Sequence, residues 1–178
     1  NSDYLADQTS AQTNGYFSKL LLNASRTQTL NDTVYLSLGA TVQRSNKNLD
    51  SSERFYLGGA NGVRAYPSSE ASGDEGFLLS AELVKSFSHR FSTGIFYDYG
   101  GVRQHKTLYT NWQGASTANN TYRLSAVGVN LNYRYETWSA KATLAFKHKG
   151  NPNAQTDGSD NDGTNRDPRF WLQISKVF

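Results

Sequence analysis

The sequence contains no cysteine, no methionine and no long apolar run. A chain without thiols cannot form mispaired disulfides, which suits a protein that passes through an oxidising periplasm. A transmembrane helix needs roughly 20 consecutive apolar residues, and no segment approaches that length. The mean hydropathy of −0.66 is that of a polar protein. If the chain lies in a membrane, its strands must cross it.

Neither sign of charge is in large excess. The chain has 18 Lys and Arg against 15 Asp and Glu, a net charge of +3, which does not predict a nucleic-acid partner. It does hold 11 Tyr, 9 Phe and 3 Trp in 178 residues, a length that fits one domain and no second. This composition fits an outer-membrane β-barrel. It fits a soluble β-sandwich nearly as well.

Alternation of apolar and polar residues predicts an all-β chain of about seven strands. Leu36, Leu38, Ala40 and Val42 alternate with polar or small neighbours, which is the period of a strand with two different faces. The predicted strands are about 15–25, 33–44, 77–87, 91–102, 122–135, 138–149 and 169–178. The connections alternate between short (26–32, 88–90, 136–137) and long (45–76, 103–121, 150–168), and residues 1–14 are predicted to be loop.

Three features favour a transmembrane barrel over a soluble sheet. The strands have the length that crosses a bilayer at a tilt, and short turns alternate with long loops as in outer-membrane barrels. A lipid-facing Lys or Arg at mid-membrane costs about 2–4 kcal/mol. Mid-strand charges fall on the polar face, and the exceptions, Lys85 and Lys176, lie near strand ends. An aromatic girdle is predicted at the periplasmic end from Phe91, Tyr133, Tyr135, Trp138 and Phe178.

The long segment 45–76 contains the least strand-like stretch of the chain. Three glycines fall within five positions and are followed by a cation and an aromatic residue, which predicts a loop that folds back into the barrel lumen. On the polar face of the strand at 91–102, an acid can pair with that cation. The predicted loop anchor is Val63, Arg64, Tyr66 and Asp98, with Glu82 as a second lumen partner and Gly58, Gly59, Gly62 and Gly100 as motif glycines.

Other chemistry is poorly supported by the sequence. The glycines lack the Lys-Ser/Thr of a phosphate loop and the βαβ unit of a dinucleotide fold. Asp157, Asp160 and Asp162 do not match the spacing of a calcium loop, so they are expected in a solvated external loop. The histidines are dispersed and suggest neither a metal site nor a catalytic triad. No cofactor, metal or catalytic residue is predicted, and the chain is not expected to be an enzyme.

Several motifs resemble those of a known superfamily. The segments Leu57-Gly58-Gly59, Gly62-Val63-Arg64-Ala65-Tyr66, Gly73-Asp74-x-Gly76 and Ser80-x-Glu82-Leu83, with Phe96-x-Asp98-x-Gly100, are similar to the barrel signatures of outer-membrane protein assembly and secretion proteins. Lys19-Leu20, Arg26-x-Gln28-x-Leu30 and Glu53-x-Phe55-x-Leu57 resemble the TpsB transporters of two-partner secretion, the ShlB/FhaC/HecB group. The C-terminal residues Phe170, Leu172, Ile174 and Phe178 resemble a barrel-assembly signal.

The resemblance implies a function. The chain would be the C-terminal half of a sixteen-stranded barrel in the bacterial outer membrane, with the periplasmic POTRA domains and plug helix outside this sequence. The barrel would export a large exoprotein of haemolysin or adhesin type without ATP, in contact with lipid and with the barrel-assembly machinery. Arg64 would pair with Asp98 in the lumen. Two positions depart from the family pattern: Ala65 replaces the usual Gly, and Lys176 replaces an aromatic of the assembly signal.

Two alternatives remain open. An assembly insertase of the same superfamily would open a seam rather than a pore, and five POTRA modules rather than two would favour it. A small porin-like or adhesive barrel would have no translocation role. About seven strands leave two open edges, which a membrane does not tolerate unless they are paired. The missing strands either come from the intact protein, as we expect, or residues 1–14 add an eighth strand.

Overall fold

A computed structural model describes residues 2–68, 70–113 and 119–178, with side chains described from residue 5 onward. This part of the chain has a short helix α1 (Ser2–Gln8), a 3₁₀ helix (Ser51–Glu53) and nine strands. The strands are β1 (Lys19–Asn31), β2 (Val34–Ser45), β3 (Phe55–Tyr56), β4 (Ser72–Gly73), β5 (Glu75–Ser86), β6 (Phe91–Arg103), β7 (Thr121–Tyr135), β8 (Trp138–Lys147) and β9 (Arg169–Lys176).

Seven strands form one antiparallel sheet in the order β1-β2-β5-β6-β7-β8-β9. Within this sheet, neighbouring strands follow one another in the chain. The segment between β2 and β5, here named the central loop (46–74), carries a separate hairpin of β3 and β4. The long strands have 8 to 15 residues, which suits a tilted membrane crossing. In the tight turn after β1, the Asn31 side-chain oxygen accepts hydrogen bonds from the backbone N–H groups of Thr33 and Val34, both 3.0 Å.

The sheet has two different faces. The central loop covers one, here called the inner face, whereas large apolar side chains such as Leu79, Ile95 and Leu131 remain 45–60% exposed on the other, the outer face. The buried apolar cluster lies between the central loop and the inner face, from Phe96, Leu124 and Ala126 to Leu57 and Tyr66. A soluble sandwich would bury the apolar face of the sheet, so the exposed outer face indicates a lipid-facing surface.

The aromatic girdle lies on the outer face at the end with the short turns. Phe91 pairs with Tyr133 and Tyr135 pairs with Trp138 across adjacent strands, and Phe178 follows the end of β9. The Phe91 and Tyr133 rings are 4.7 Å apart. Amphipathic rings at this level are typical of the interface between a barrel and the lipid headgroups.

Three sequence-based predictions about the termini and loops were wrong. Residues 2–8 form helix α1 rather than loop, so they do not add an eighth strand. The segment 26–31 is the second half of β1, because Asn31 closes the turn later than the composition suggested. The segment 45–76 is not all loop: it contains the 3₁₀ helix and the β3–β4 hairpin, and β5 begins at Glu75.

Among the described residues, no helix has the length and apolar character of a membrane span.

The extension of β1 also corrects the prediction about charges. Arg26 pairs with Leu38, so it lies on the outer face in the middle of a strand, where the sequence predicted no charge. Its Nη2 donates a 2.8 Å hydrogen bond to Gln28 Oε1 on the same face. The pairing with a neighbouring polar side chain reduces the number of unsatisfied donors on this surface.

Candidate functional site

The tip of the central loop, residues 57–66, is a tight backbone fold that requires glycine. The Val63 N–H donates a 2.8 Å hydrogen bond to the Leu57 carbonyl oxygen, and a Cβ added at Gly62 would lie 2.1 Å from that same oxygen. Gly59 has a φ of +105°, a region that side-chain-bearing residues rarely adopt. Gly58 N–H closes the base of the tip on the Glu70 carbonyl oxygen at 3.1 Å.

The tip packs on the inner face of β6 through apolar side chains. Leu57, Val63, Ala65 and Tyr66 are fully buried. Gly100 on β6 provides the space, because a Cβ there would lie 2.4 Å from Leu57 Cδ1. The glycine-rich loop tip and the strand segment around Gly100 are therefore complementary in shape, although they are separate in the sequence. The tip inserts where β6 has no side chain.

Arg64 is the polar centre of this contact. Its Nε and Nη2 each donate a 2.8 Å hydrogen bond to Asp98, one to each carboxylate oxygen, and its backbone N–H adds a 3.2 Å bond to Asp98 Oδ2. Its Nη1 donates a 2.9 Å bond to Glu82 Oε2. The guanidinium carbon lies 3.3 Å from the centre of the Phe96 ring. Bidentate pairing and stacking together fix the plane of the guanidinium.

Burial makes this ion cluster costly to break. The side chains of Arg64 and Asp98 are 7% and 1% exposed, and that of Glu82 is 17% exposed. The Lys141 ammonium lies 3.9 Å from Glu82, so two cations face two carboxylates. Loss of one partner of a buried pair leaves an uncompensated charge, at a cost of about 3–5 kcal/mol. The cluster therefore favours one position of the loop tip strongly.

Three further contacts hold the central loop, and their partners were not predicted from the sequence. Trp171 Nε1 donates a 2.7 Å hydrogen bond to the Arg64 carbonyl oxygen. The Tyr66 hydroxyl donates a 2.8 Å bond to the Lys149 carbonyl oxygen, and the Asn161 N–H donates a 2.9 Å bond to Glu70 Oε2. Of these, only Trp171 had a usable signal: alternation with Phe170 and Leu172 places it on the inner face, and a partly buried indole N–H needs an acceptor.

The segment after β8 is less solvated than the sequence suggested. Asp160 is fully buried, and it pairs with Lys147 at 2.9 Å and Arg169 at 3.3 Å. Arg169 also pairs with Asp162 at 2.9 Å, whereas Asp157 remains exposed. The prediction of a solvated loop was therefore wrong for Asp160, because basic residues at the ends of β8 and β9 converge on it. The described residues contain no group of side chains suited to hold a metal.

Glu70 couples the central loop to this segment electrostatically. Burial raises the pKa of the Glu70 carboxyl, and the nearby Asp160 charge raises it further, whereas the hydrogen bond from the Asn161 N–H lowers it. The first effect is the largest, so the neutral form is favoured relative to a solvated glutamate.

The predicted assembly-signal residues lie together on the outer face of β9. Phe170, Leu172 and Ile174 are 58–62% exposed, and Phe178 is fully exposed beyond the end of the strand. Phe170, Leu172 and Ile174 form an apolar edge on the last strand of the sheet, which Lys176 interrupts before Phe178.

Comparison with known proteins identifies the family. The family model described as "Haemolysin secretion/activation protein ShlB/FhaC/HecB" matches residues 3–120. The chain belongs to this family. ShlB/FhaC/HecB proteins are TpsB transporters of the bacterial outer membrane, so the sheet is part of an outer-membrane β-barrel. The prediction of family, fold class and location is confirmed.

Individual relatives agree with this assignment. The "Heme/hemopexin transporter protein HuxB" of Haemophilus influenzae strain 86-028NP is 28% identical over 173 residues, which is 94% of this chain and 28% of the relative. A second Haemophilus influenzae HuxB is 29% identical over 174 residues, with the same coverage. The chain thus spans about 28% of the length of these relatives.

A solved structure supports the fold. The structure of "CdiB from Acinetobacter baumannii" superimposes with a TM-score of 0.58 at 18% identity, over 89% of this chain and 26% of that one. At this identity the likeness concerns the fold alone. In both comparisons this chain spans about a quarter of the length of the protein that it matches.

Proposed function

We propose that the intact protein is an outer-membrane pore that exports a large partner exoprotein, of haemolysin or adhesin type, by two-partner secretion. Residues 1–178 supply the C-terminal segment of a sixteen-stranded barrel, with no second domain in this segment. The region 45–76 enters the lumen. The protein acts by binding and releasing a polypeptide, not by catalysing a reaction.

The observation that carries the proposal is the bidentate contact between Arg64 and Asp98. It holds the loop tip on the face of the sheet that carries Glu82, Lys141 and Asn130, opposite the exposed apolar face. A polar wall is what an unfolded polypeptide in water requires, whereas the apolar face suits lipid. A loop on that wall is positioned to occupy the path of an exported chain.

The mechanism follows from the balance of contacts at the tip. The ion cluster and the buried glycine fold stabilise a closed position in which the loop fills part of the lumen. An exoprotein segment that binds better to the open lumen shifts the loop population toward the open position, and no ATP is required. The shift can be no larger than the difference in the free energy of exoprotein binding to the two positions.

The remaining partners follow from the outer face. Side chains such as Leu79 and Ile95 contact outer-membrane lipid. Phe170, Leu172, Ile174 and Phe178 present the apolar edge by which the barrel-assembly machinery recognises the last strand. Lys176 breaks this pattern, so we expect slower insertion than for a barrel with an aromatic residue there.

The test uses the full-length protein and its partner exoprotein. We expect Arg64→Ala and Asp98→Ala each to lower exoprotein in the medium roughly tenfold or more, while inserted barrel changes less than about twofold. Insertion is measured as the folded, heat-modifiable band in outer-membrane fractions. Arg134→Ala is the matched control, since Arg134 is an exposed arginine on the same inner face near the β7–β8 turn.

Normal secretion by both variants would contradict the role of the anchor. Two measurements on the same proteins separate the alternatives. In single-channel recording, an exporting pore should gain conductance when the anchor is lost. In an assay of outer-membrane protein assembly, an insertase that loses the anchor should assemble fewer of the other barrels. A porin-like barrel should conduct without effect of the exoprotein.

A further inference from the structure

Four basic residues cluster on the outer face at the end of the sheet that carries the long loops. Arg44 lies near the end of β2, Arg103 ends β6, Arg123 lies near the start of β7 and Lys106 follows β6. Strand pairing places Glu75 opposite Arg103 and Gly101 opposite Arg123, so these side chains emerge from adjacent strands on one surface. Nothing in the loop-anchor site involves them.

The cluster has far more positive than negative charge. Glu75 is 3% exposed and is shared by Lys106 at 2.8 Å, Arg103 at 3.4 Å and Arg44 at 3.6 Å. Asp74 does not offset the remaining positive charge of the cluster, because it is fully buried and pairs with Arg54. Four cations against one carboxylate leave a net charge of +3. The side chains of Arg44 and Arg103 are still 69% and 42% exposed, so they can accept another anion.

A cavity opens between these cations. It has a volume of about 230 Å³, and its lining includes Arg44, Arg103, Arg123, the carboxylate of Glu75 and the apolar side chains of Val42 and Phe77. Gly101 forms part of its floor: a Cβ there would lie 3.0 Å from the Phe77 ring and 3.2 Å from Arg123 Cγ. The cavity is therefore polar on the side toward the long loops and apolar on the side toward the membrane.

The surroundings of the cavity indicate where it lies in the membrane. Phe77 and Tyr99, whose ring centres are 5.7 Å apart, begin the apolar belt directly below Glu75 and the arginines. The aromatic girdle lies at the opposite end of the strands. With the long loops outside the cell, the cluster sits at the headgroup level of the outer leaflet. Planar guanidinium groups match phosphate geometry there.

We infer that Arg44, Arg103 and Arg123 form a binding site for the phosphate of an anionic glycolipid headgroup in the outer leaflet. The arginines bind the phosphate, Lys106 and Glu75 hold Arg103 in place, and the acyl chains lie along Phe77 and the apolar belt. Basic pockets that lie at the headgroup level beside an apolar surface are typical sites for anionic lipids.

The test measures lipid binding to the purified full-length protein in detergent by native mass spectrometry. The probes are bisphosphorylated lipid A, dephosphorylated lipid A and inorganic phosphate. We expect the triple variant R44Q/R103Q/R123Q to bind lipid A roughly tenfold more weakly than the wild type. The matched control K85Q/R90Q/K176Q removes the same charge at the opposite end of the strands and should bind as the wild type does.

Several results would overturn the inference: equal binding by the triple variant, equal binding of dephosphorylated lipid A, or binding of inorganic phosphate as tight as that of lipid A, which would indicate a soluble anion instead. If the triple variant does not insert, Arg44→Gln alone, at the most exposed of these arginines, should still weaken binding severalfold. Because binding is measured without the exoprotein, a failure here is distinct from a failure of the proposed export function.

Discussion

Trp171 Nε1 lies 2.7 Å from the carbonyl oxygen of Arg64, so the last strand of the sheet binds the backbone of the loop tip directly. The two residues are 107 positions apart in the chain. The guanidinium of Arg64 binds β6 while its backbone binds β9, across two intervening strands. A movement of the tip must therefore break contacts with two separate parts of the wall. This arrangement makes the closed position cooperative.

Replacement of Trp171 by Phe should make the loop tip more mobile without unfolding the seven-stranded sheet. Phe retains most of the apolar area but removes the donor, and a lost hydrogen bond to a buried carbonyl costs about 1–3 kcal/mol. A spin label at Asn61→Cys, on an exposed residue of the tip in a chain without cysteine, reports the mobile fraction. Trp138→Phe, on the outer face, is the control and should leave the spectrum unchanged. An immobile label in Trp171→Phe would contradict this role.

The two carboxylates that bind Arg64 should not be equivalent. Asp98 accepts three hydrogen bonds from Arg64, two of them bidentate, whereas Glu82 accepts one and is more exposed. We expect Asp98→Asn to destabilise the closed loop by about 3 kcal/mol and Glu82→Gln by about 1 kcal/mol. A double-mutant cycle with Arg64→Gln, read by protease cleavage of the loop in folded barrels, measures both couplings. Equal coupling energies would be inconsistent with this geometry.

Gly62→Ala should displace the loop tip. The added methyl group would lie 2.1 Å from the Leu57 carbonyl oxygen, a backbone atom that cannot move without opening the tip. We expect secretion to fall to a level similar to that of Arg64→Ala. Gly150→Ala is the control, since a Cβ at Gly150 meets no atom within 4 Å. Wild-type secretion by Gly62→Ala would mean that the tip does not keep this fold during export.

The loop should be more firmly closed at low pH. Burial raises the pKa of Glu70 above that of a solvated glutamate. When the pH is below the pKa of a solvated glutamate, Glu70 is neutral in both the open and the closed position. Closure then carries no cost for ionising a buried carboxyl group. As the pH rises through the raised pKa, the closed position must ionise a buried acid, and closure loses free energy. The mobile fraction of the label at Asn61→Cys should rise with pH in the wild type.

Glu70→Gln is the matched control for this pH dependence. The amide oxygen can still accept the hydrogen bond from the Asn161 N–H, but the side chain no longer titrates. The variant should show a flat mobile fraction over the same pH range, close to the low-pH value of the wild type. A rise that persists in Glu70→Gln would assign the effect to another group.

The strand pattern was predictable because a sheet between lipid and a polar interior imposes period two on every strand. Alternation alone separates Leu79 and Ile95 on one face from Glu82 and Asp98 on the other. The prediction failed where polar residues belong to a strand: Thr27 to Asn31 continue β1 although their composition is that of a turn. There the pairing with β2 outweighs local preference.

By itself, the sequence determined the all-β class, the two faces of the sheet and the family motifs, since these depend on neighbours a few residues apart. Only the tertiary structure decided which groups meet over long separations: Trp171 with Arg64, Asn161 with Glu70, and three basic residues with Glu75. Strand order and loop folding bring these groups together. Neither leaves a local trace in composition or periodicity, because the contacts join segments that are distant in the chain.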